Sequence, residues 1–389
     1  MDIAIIGGGI GGLTTALALH RKGIKSTVYE ASPEIKPVGA GIILASNATQ
    51  VLQRLGVLSA LQPAGQPLTE LRITDEQLRP LSRSDLQDME QRTGGGCLAI
   101  HRAELQRILL EHLPSECVQL NHQVTDLEVL PAGGAMLHFA NGLSRQVEGI
   151  VAADGLHSLA RSWVAPASVV REAHQICWRG VAEYQLPPEQ AGWLQEAWGS
   201  GRRFGFSPIS PGEVYWYALR DGQTPHQQTP AELQATFQPF APIVHALLAH
   251  TPAEHILVHA IKDHAPLAGW ARGPVCLLGD AAHATTPNMG QGACQAIVDA
   301  YTLAELLGRG LELRAAFAQL YALRQATTAH VTTTSWRVGK LAHVRNPVGC
   351  YLRNTFLRLT PARVTRRQNE RLFQLEIDLP DLVPSDEVA

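Results

Sequence analysis

The sequence predicts a two-domain α/β protein. A parallel sheet wound with helices is interrupted by an inserted, mainly antiparallel β-sheet domain and followed by C-terminal helices. Three observations predict this. A strand–helix–strand unit of about thirty residues opens the chain, the βαβ module of a Rossmann-type nucleotide-binding fold. Two later apolar runs, residues 149–153 (GIVAA) and 274–278 (PVCLL), each end at an Asp beside a Gly, as buried parallel strands of such a sheet do. Between residues 163 and 270 the texture changes: six of the seven tryptophans (Trp163, Trp178, Trp193, Trp198, Trp216, Trp270) lie there.

The elements follow in chain order. Asp2–Ile6 is an apolar run ending in glycines, a buried strand. Leu13, Ala16, Leu17 and His20 recur at helical spacing over residues 10–21, and Gly23 stops the helix. Residues 25–30 (KSTVYE) are β-branched and aromatic, a second strand. Ser46 is expected to cap a helix through Leu55 that Gly56 closes. Residues 102–113 (RAELQRILLEHL) form an amphipathic helix with Leu105, Ile108, Leu109 and His112 on one side. In the aromatic stretch, Phe204, Phe206, Phe237, Phe240, Tyr184, Tyr215 and Tyr217 join the tryptophans. The alternation of residues 213–220 (EVYWYALR) there is that of an antiparallel strand. A helix runs from Gly292 to about Leu307 on Ala293, Ala296, Ile297, Ala300 and Ala304, and residues 310–375 are mostly helical with breaks at Pro347 and Pro361. The expected division is 1–70, 98–162 and 271–310 for a discontinuous nucleotide-binding domain, 71–97 and 163–270 for a substrate-binding domain, and 311–389 for a C-terminal helical segment.

Bulk composition narrows the partners. With 32 basic and 35 acidic side chains, the net charge of -3 provides no whole-protein field for nucleic acid or an anionic membrane. Basic residues thicken only at Arg345, Arg353, Arg358, Arg363, Arg366, Arg367 and Arg371, which read as a solvated helix face. The six cysteines (Cys97, Cys117, Cys177, Cys276, Cys294, Cys350) have neither C-x-x-C nor metal-ligand spacing. They are expected to be small buried residues in a reducing compartment, with no metal site. The opening residues lack a basic signal-peptide region, and no apolar run approaches the ~20 residues of a membrane span. The expectation is a cytoplasmic protein without integral membrane association.

Residues 7–12 (GGGIGG) fit G-x-G-x-x-G between a strand and a helix. Gly7 permits the tight turn, Gly9 lets the backbone approach a pyrophosphate, and Gly12 lets helix and strand pack closely, with Gly11 a further cofactor-binding residue of the loop. Glu30 falls at the end of the second strand, where a carboxylate accepts hydrogen bonds from a ribose hydroxyl pair. This motif alone does not separate FAD from NAD.

Together with AADGLHSLAR at 152–161 and GDAAHATTPNMGQG at 279–292, it resembles the FAD-dependent aromatic hydroxylases, class A flavoprotein monooxygenases of the p-hydroxybenzoate hydroxylase type. The likeness is greatest to the branch of flavin-dependent urate hydroxylases and zeaxanthin epoxidase-like enzymes. The resemblance implies FAD as cofactor, with Glu30 at the adenosine ribose and Arg102 at the ribityl–phosphate region. It implies Asp154-Gly155 in contact with FAD and NAD(P)H, and Asp280 on the ribityl chain. Pro287 and the turn Gly290-Gln291-Gly292 would lie along the isoalloxazine ring, and the stretch 39–42 (GAGI), with Gly41, is a further flavin contact. Two loops suit one extended ligand whose pyrophosphate and redox ring need separate supports. N–H groups at the helix start near Gly290 would stabilise charge growing on the reduced ring.

The activity implied is hydroxylation of an aromatic or heteroaromatic small molecule, dependent on NAD(P)H and O2, through a flavin C4a-hydroperoxide. A single G-x-G-x-x-G leaves no second nucleotide domain, so NADH or NADPH would bind transiently, and the sequence does not choose between them. A monomer or a homodimer is expected. Residues 34–42 (EIKPVGAGI) and 199–209 (GSGRRFGFSPI) resemble the urate hydroxylases, which would place Arg203 and Tyr215 at the substrate as catalytic residues. The chain departs from them at Asn288, where those enzymes carry an acid, and an amide cannot act as a carboxylate. His283 and His157 are expected in packing or hydrogen-bonding roles. An epoxidase acting on an alkene or isoprenoid, and a flavin-binding oxidoreductase without oxygenase activity, share these motifs. A flavin-dependent halogenase lacks support because no W-x-W-x-I-P is present, and an NAD-dependent dehydrogenase has no use for the two downstream loops.

Overall fold

A computed structural model describes residues 1–35, 40–375 and 377. Gly39 of the expected flavin contact, residues 36–38 of the stretch resembling the urate enzymes, and most of the chain beyond 375 lie outside the described residues.

The apolar runs become a six-stranded sheet in the order Ala271–Arg272, Val275–Leu277, Gly149–Ala152, Asp2–Ile6, Lys25–Tyr29, Val118–Gln119. All neighbours are parallel except the short Ala271–Arg272 edge. Register carries the functional consequence. Ile6 pairs with Ala152, Ala152 with Leu277, and Ile6 with Tyr29, so these strands finish level. The loops that follow therefore emerge side by side at the carboxyl edge, where open α/β sheets hold ligands. The helix Ile10–Arg21 packs on the helix Gly292–Gly308, with Gly11 facing Leu278 and Ala296.

A seven-stranded sheet runs Leu257–His264, Val170–Glu183, Glu213–Asp221, Arg202–Ser210, Trp193–Trp198, Glu70–Asp75, Pro80–Asp85. Only the Trp193–Trp198 and Glu70–Asp75 pair is parallel. Successive side chains point to opposite faces. On one face Trp178, Phe204, Phe206 and Trp216 form a core with Phe237 and Phe240, the Phe204 and Trp216 rings stacking at 5.6 Å. Much of the aromatic run is thus ordinary core. The other face carries Arg179, Arg203, Tyr215 and Tyr217. A small sheet of Gly41–Leu44, Cys97–His101 and Gly65–Leu68 meets that face: a Cβ on Gly41 would lie 2.4 Å from Tyr215 Cγ. Glycine at 41 is what permits the approach.

The helices Leu313–Ala342, Pro347–Leu359 and Ala362–Phe373 complete the fold, with Pro347 in the first turn of its helix and Pro361 at the cap of the next. Three expectations need correcting. Ser46 is the first residue inside its helix and Ala45 is the cap; the Ser46 hydroxyl instead meets Thr93 Oγ1 at 2.6 Å. Arg353 is not solvated, being buried where it donates to the carbonyls of Ala342 (2.9 Å) and Gly199 (3.2 Å). Cys117 and Cys350 are half-buried while the other four cysteines are buried, and all six are free thiols.

Candidate active site

The first loop is built by close contacts that only glycine allows. Gly7 has φ +100°, and a Cβ there would sit 2.6 Å from the Ala153 carbonyl; one on Gly12 would sit 1.9 Å from the Gly7 carbonyl. Gly9 is different, since a Cβ on it would meet nothing within 4 Å. Gly9 faces open space at the start of a helix whose first N–H groups have no intrahelical partner, the setting for an anion. Glu30 is fixed beside it, accepting from Gly8 N at 2.6 Å and Ser32 N at 2.8 Å.

The second and third loops are tied together by Arg161, which the motif AADGLHSLAR contained but sequence reasoning did not single out. Arg161 is 5 % exposed and donates to the carbonyls of Gly155 (3.4 Å), Asp280 (3.5 Å) and Ala281 (3.2 Å), and also to Leu156. One guanidinium thus bridges the loops after two neighbouring strands. Asp154 Oδ2 accepts from Leu159 N at 2.9 Å, while Asp154 Oδ1 is buried without a hydrogen-bond partner. A buried polar atom left unpaired costs free energy, so an unpaired oxygen on a groove wall marks a place for a ligand donor.

The third loop is supported from behind. His283 Nε2 pairs with Asp299 Oδ2, Arg324 Nε donates to Asp299 Oδ1 at 2.8 Å, and Gly279 N points at Oδ2 from 3.4 Å. Burial pushes the Asp299 carboxyl up, but His283 and Arg324 outweigh it and hold it below the usual range. His283 is therefore a hydrogen-bonding residue, as expected. Arg324 extends the network to Gln295, whose Nε2 donates to Gln291 Oε1 at 2.8 Å; Gln291 Nε2 is buried and unpaired.

A cavity of about 620 Å³ runs along the carboxyl edge of the sheet. Its walls include Gly7, Gly9, Gly11, Glu30, Arg102, Asp154, Gly155, His157, Asp280 and Gly292. The structure thus gathers nine of the expected cofactor residues, with His157, into one groove. The others stand apart from its walls. Gly12 packs behind the first loop and Gly41 against Tyr215. Pro287–Met289 is a single 3-10 turn ending at Gly290 with φ +63°, and Gln291 is the N-cap of the Gly292–Gly308 helix. These residues fit FAD: an open glycine at a helix start suits phosphate, Glu30 and Asp154 Oδ1 can accept from hydroxyls or ring N–H groups, and the groove is elongated between separated loops.

The polar face of the seven-stranded sheet supplies the second half. Arg203 is 1 % exposed, which excludes a surface role. It donates to Glu196 Oε1 at 3.2 Å, to His343 Nε2 at 3.1 Å and to the amide oxygen of Asn288. Glu196 also accepts from Trp198 Nε1 (2.6 Å) and from the Tyr217 hydroxyl. His343 Nδ1 meets Asp221 Oδ1 at 2.8 Å, and burial pushes this imidazole down despite the carboxylate. Asn288 Nδ2 donates to Thr286 Oγ1 and the Ser335 carbonyl at 2.9 and 2.7 Å. Glu196 and His343 were missed because their neighbours in sequence carry no motif, and Tyr217 was read only as one of the aromatic strand residues.

Tyr215 lies apart from this chain of bonds. Burial, with Arg179 opposing, pushes its hydroxyl up to about 12. Burial and then the like charge of Arg179 pull Arg102 down while Asp280 pulls it up, which places Arg102, Arg179, Asp280 and Tyr215 in one electrostatic neighbourhood. Burial and Arg179 lower His259 to about 4. Arg179, with its Nε buried and unpaired, is a further residue that sequence reasoning passed over. It reads in sequence as one more strand residue.

A family described as FAD binding domain matches residues 1–334. Aurachin C monooxygenase/isomerase of Stigmatella aurantiaca is 34% identical over 96% of this chain and 98% of its own. The 2-heptyl-3-hydroxy-4(1H)-quinolone synthase of Pseudomonas aeruginosa is 35% identical over the same shares, 96% and 98%. Among solved structures, Klebsiella pneumoniae HpxO complexed with FAD and uric acid superposes with a TM-score of 0.89 at 28% identity, covering 96% of both chains.

Proposed function

The chain belongs to the FAD binding domain family and is an FAD-dependent monooxygenase, and from that premise we propose that it hydroxylates a heteroaromatic small molecule of the 4-quinolone kind, with NADH or NADPH as transient reductant. The observation that carries the reading is the continuous groove from Glu30 past the glycine loop to Asp280 and Gly292, with an unpaired Asp154 oxygen on its wall. FAD, when bound, accepts a hydride and activates dioxygen to deliver one oxygen atom to an electron-rich ring.

The chain's own residues bind, orient and exclude water. The N–H groups at the start of the Ile10–Arg21 helix would hold the pyrophosphate, Glu30 the adenosine ribose, and Asp280 with Arg102 the ribityl region, all on the walls of one groove. Gly292 opens a seventeen-residue helix whose N-terminus would favour negative charge at the ring end of a bound flavin. Tyr215, raised to about 12, stays a protonated hydroxyl at neutral pH and serves as a donor to a substrate oxygen, not as a base. Arg203 is committed to Glu196, His343 and Asn288, so it acts as a fixed positive centre that positions the substrate wall.

Asn288 supports the quinolone class over urate: a neutral amide stands where the urate hydroxylases carry an acid. In sequence the match spans 98% of the quinolone synthase but 86% of the Klebsiella pneumoniae urate hydroxylase, which supports the same choice. O2 is the co-substrate of the reaction, and a monomer or homodimer suffices because the groove is built from one chain.

The test is spectroscopic and then kinetic. Purified protein should show flavin absorption; colourless protein that gains none with added FAD would sink the assignment. NADH and NADPH oxidation should then be followed with 2-heptyl-4(1H)-quinolone, urate, phenols and alkenes, each with product analysed by mass. Quinolone gaining one oxygen is expected. Oxidation that yields only hydrogen peroxide with every ring would overturn the hydroxylase reading, and urate turnover exceeding quinolone turnover would overturn the substrate class.

A further inference from the structure

The Pro347–Leu359 helix is amphipathic in the wrong sense for a globular protein. Val348, Tyr351, Leu352, Phe356 and Leu359 recur at spacings of three and four, which puts them on one face, and all five are 60% to 75% exposed. The opposite face turns an arginine inward, Arg353. A contiguous row of large exposed apolar side chains marks an interaction surface. Within the same stretch, residues 345–371 hold seven arginines and a single acid, although the whole chain is net negative. The Ala362–Phe373 helix follows after two residues. Its Arg366, Asn369 and Phe373 face the protein, Arg366 near Asp88 and Asn369 donating to Ser84. Arg363, Arg367 and Arg371 are exposed and make no ion pair among the described residues.

We propose that these two helices form a peripheral anchor that lies in the plane of an anionic phospholipid surface. The chemistry is complementary on both counts. Apolar side chains on one face of a helix about 20 Å long enter the headgroup–acyl boundary, and arginines beside them meet lipid phosphates. A second copy of the chain would cover the apolar row but would set like arginines against one another. No helix among the described residues is long and apolar enough to cross a membrane, so the mode is interfacial.

The test uses the full chain loaded with FAD, mixed with vesicles of phosphatidylcholine and phosphatidylglycerol, or of phosphatidylcholine alone, and sedimented. The expected result is sedimentation with the phosphatidylglycerol vesicles that weakens as salt is raised. Arg363→Ser, Arg367→Ser and Arg371→Ser should each cut the partition roughly fivefold. Leu352→Glu with Phe356→Glu should abolish it while the flavin spectrum and melting temperature stay unchanged, because both side chains are exposed. Wild-type protein left in the supernatant with both vesicle types would overturn the proposal. So would a lipid-free dimer in sedimentation velocity that Leu352→Glu with Phe356→Glu splits, which would assign the face to a second copy.

Discussion

At Asp280 one carboxylate closes the far end of the groove, two strands away from the glycine loop that closes the near end. Its backbone is fixed through Arg161 and its loop through Asp299, so the side chain is free to serve a ligand. Asp280→Ala should therefore express as folded protein and lose FAD on dilution, measured by fluorescence of released flavin; unchanged affinity would refute the ribityl role. His259 offers a second residue-scale consequence. Its folded pKa, about 4, lies below the ordinary 6.5 because burial and Arg179 oppose the charge. Between those values the unfolded chain binds a proton that the folded chain refuses. Stability contributed above pH 6.5 is thus lost as pH falls towards 4. His259→Asn should flatten the melting temperature against pH across that window, and an unchanged slope would show that His259 is not the group responsible.

The elements that matter most are held by backbone contacts. A Cβ on Gly12 would press into the Gly7 carbonyl, and both sit between a central strand and the first helix, so neither side can yield cheaply. Gly12→Ala should reduce FAD occupancy more than tenfold, read as flavin-to-protein absorbance, and lower the melting temperature. The overpacking cost is about 1–3 kcal/mol. Gly9, whose Cβ would meet nothing in the chain, makes the contrast: Gly9→Ala should fold with wild-type stability and lose only the cofactor. The same motif was readable in sequence because tight turns demand glycine wherever they occur. Arg161 was not, because its value lies in reaching carbonyls of a loop more than a hundred residues away.

Across the whole molecule, Arg203 joins three distant parts of the chain: the antiparallel sheet, the Asn288 turn and the C-terminal His343. The long helix backs this junction, since a Cβ on Gly339 would lie 2.4 Å from Asn288 Nδ2. Removing the guanidinium leaves Glu196 buried without its cation, a loss of about 3–5 kcal/mol for such pairs. Arg203→Gln should accordingly lower the urea midpoint as well as turnover, and a variant of wild-type stability would show that the junction is not structural. The Pro347–Leu359 helix belongs to this scale too. Its arginines were visible in sequence as a solvated face, but that its apolar side faces outward and Arg353 inward could be learned only from its packing.

By itself the sequence determined the parallel sheet and the three loops at its edge, and the motifs on those loops carried the resemblance that implied FAD. Turn glycines, strand-end acids and apolar runs answer to local rules of backbone geometry and burial. Asn288 also stood out in sequence, as a neutral amide within a recognisable loop. The tertiary structure decided what those rules cannot reach. Register set the loops level, Arg161 tied the second loop to the third, Asp299 stiffened the third from the helix behind it, and the alternation of one strand sent Trp216 to a core while Tyr215 and Tyr217 faced the site. Buried charge is stable only where partners from other elements converge, so Arg203, Glu196, His343 and Asn288 acquire their meaning together, once the chain has folded.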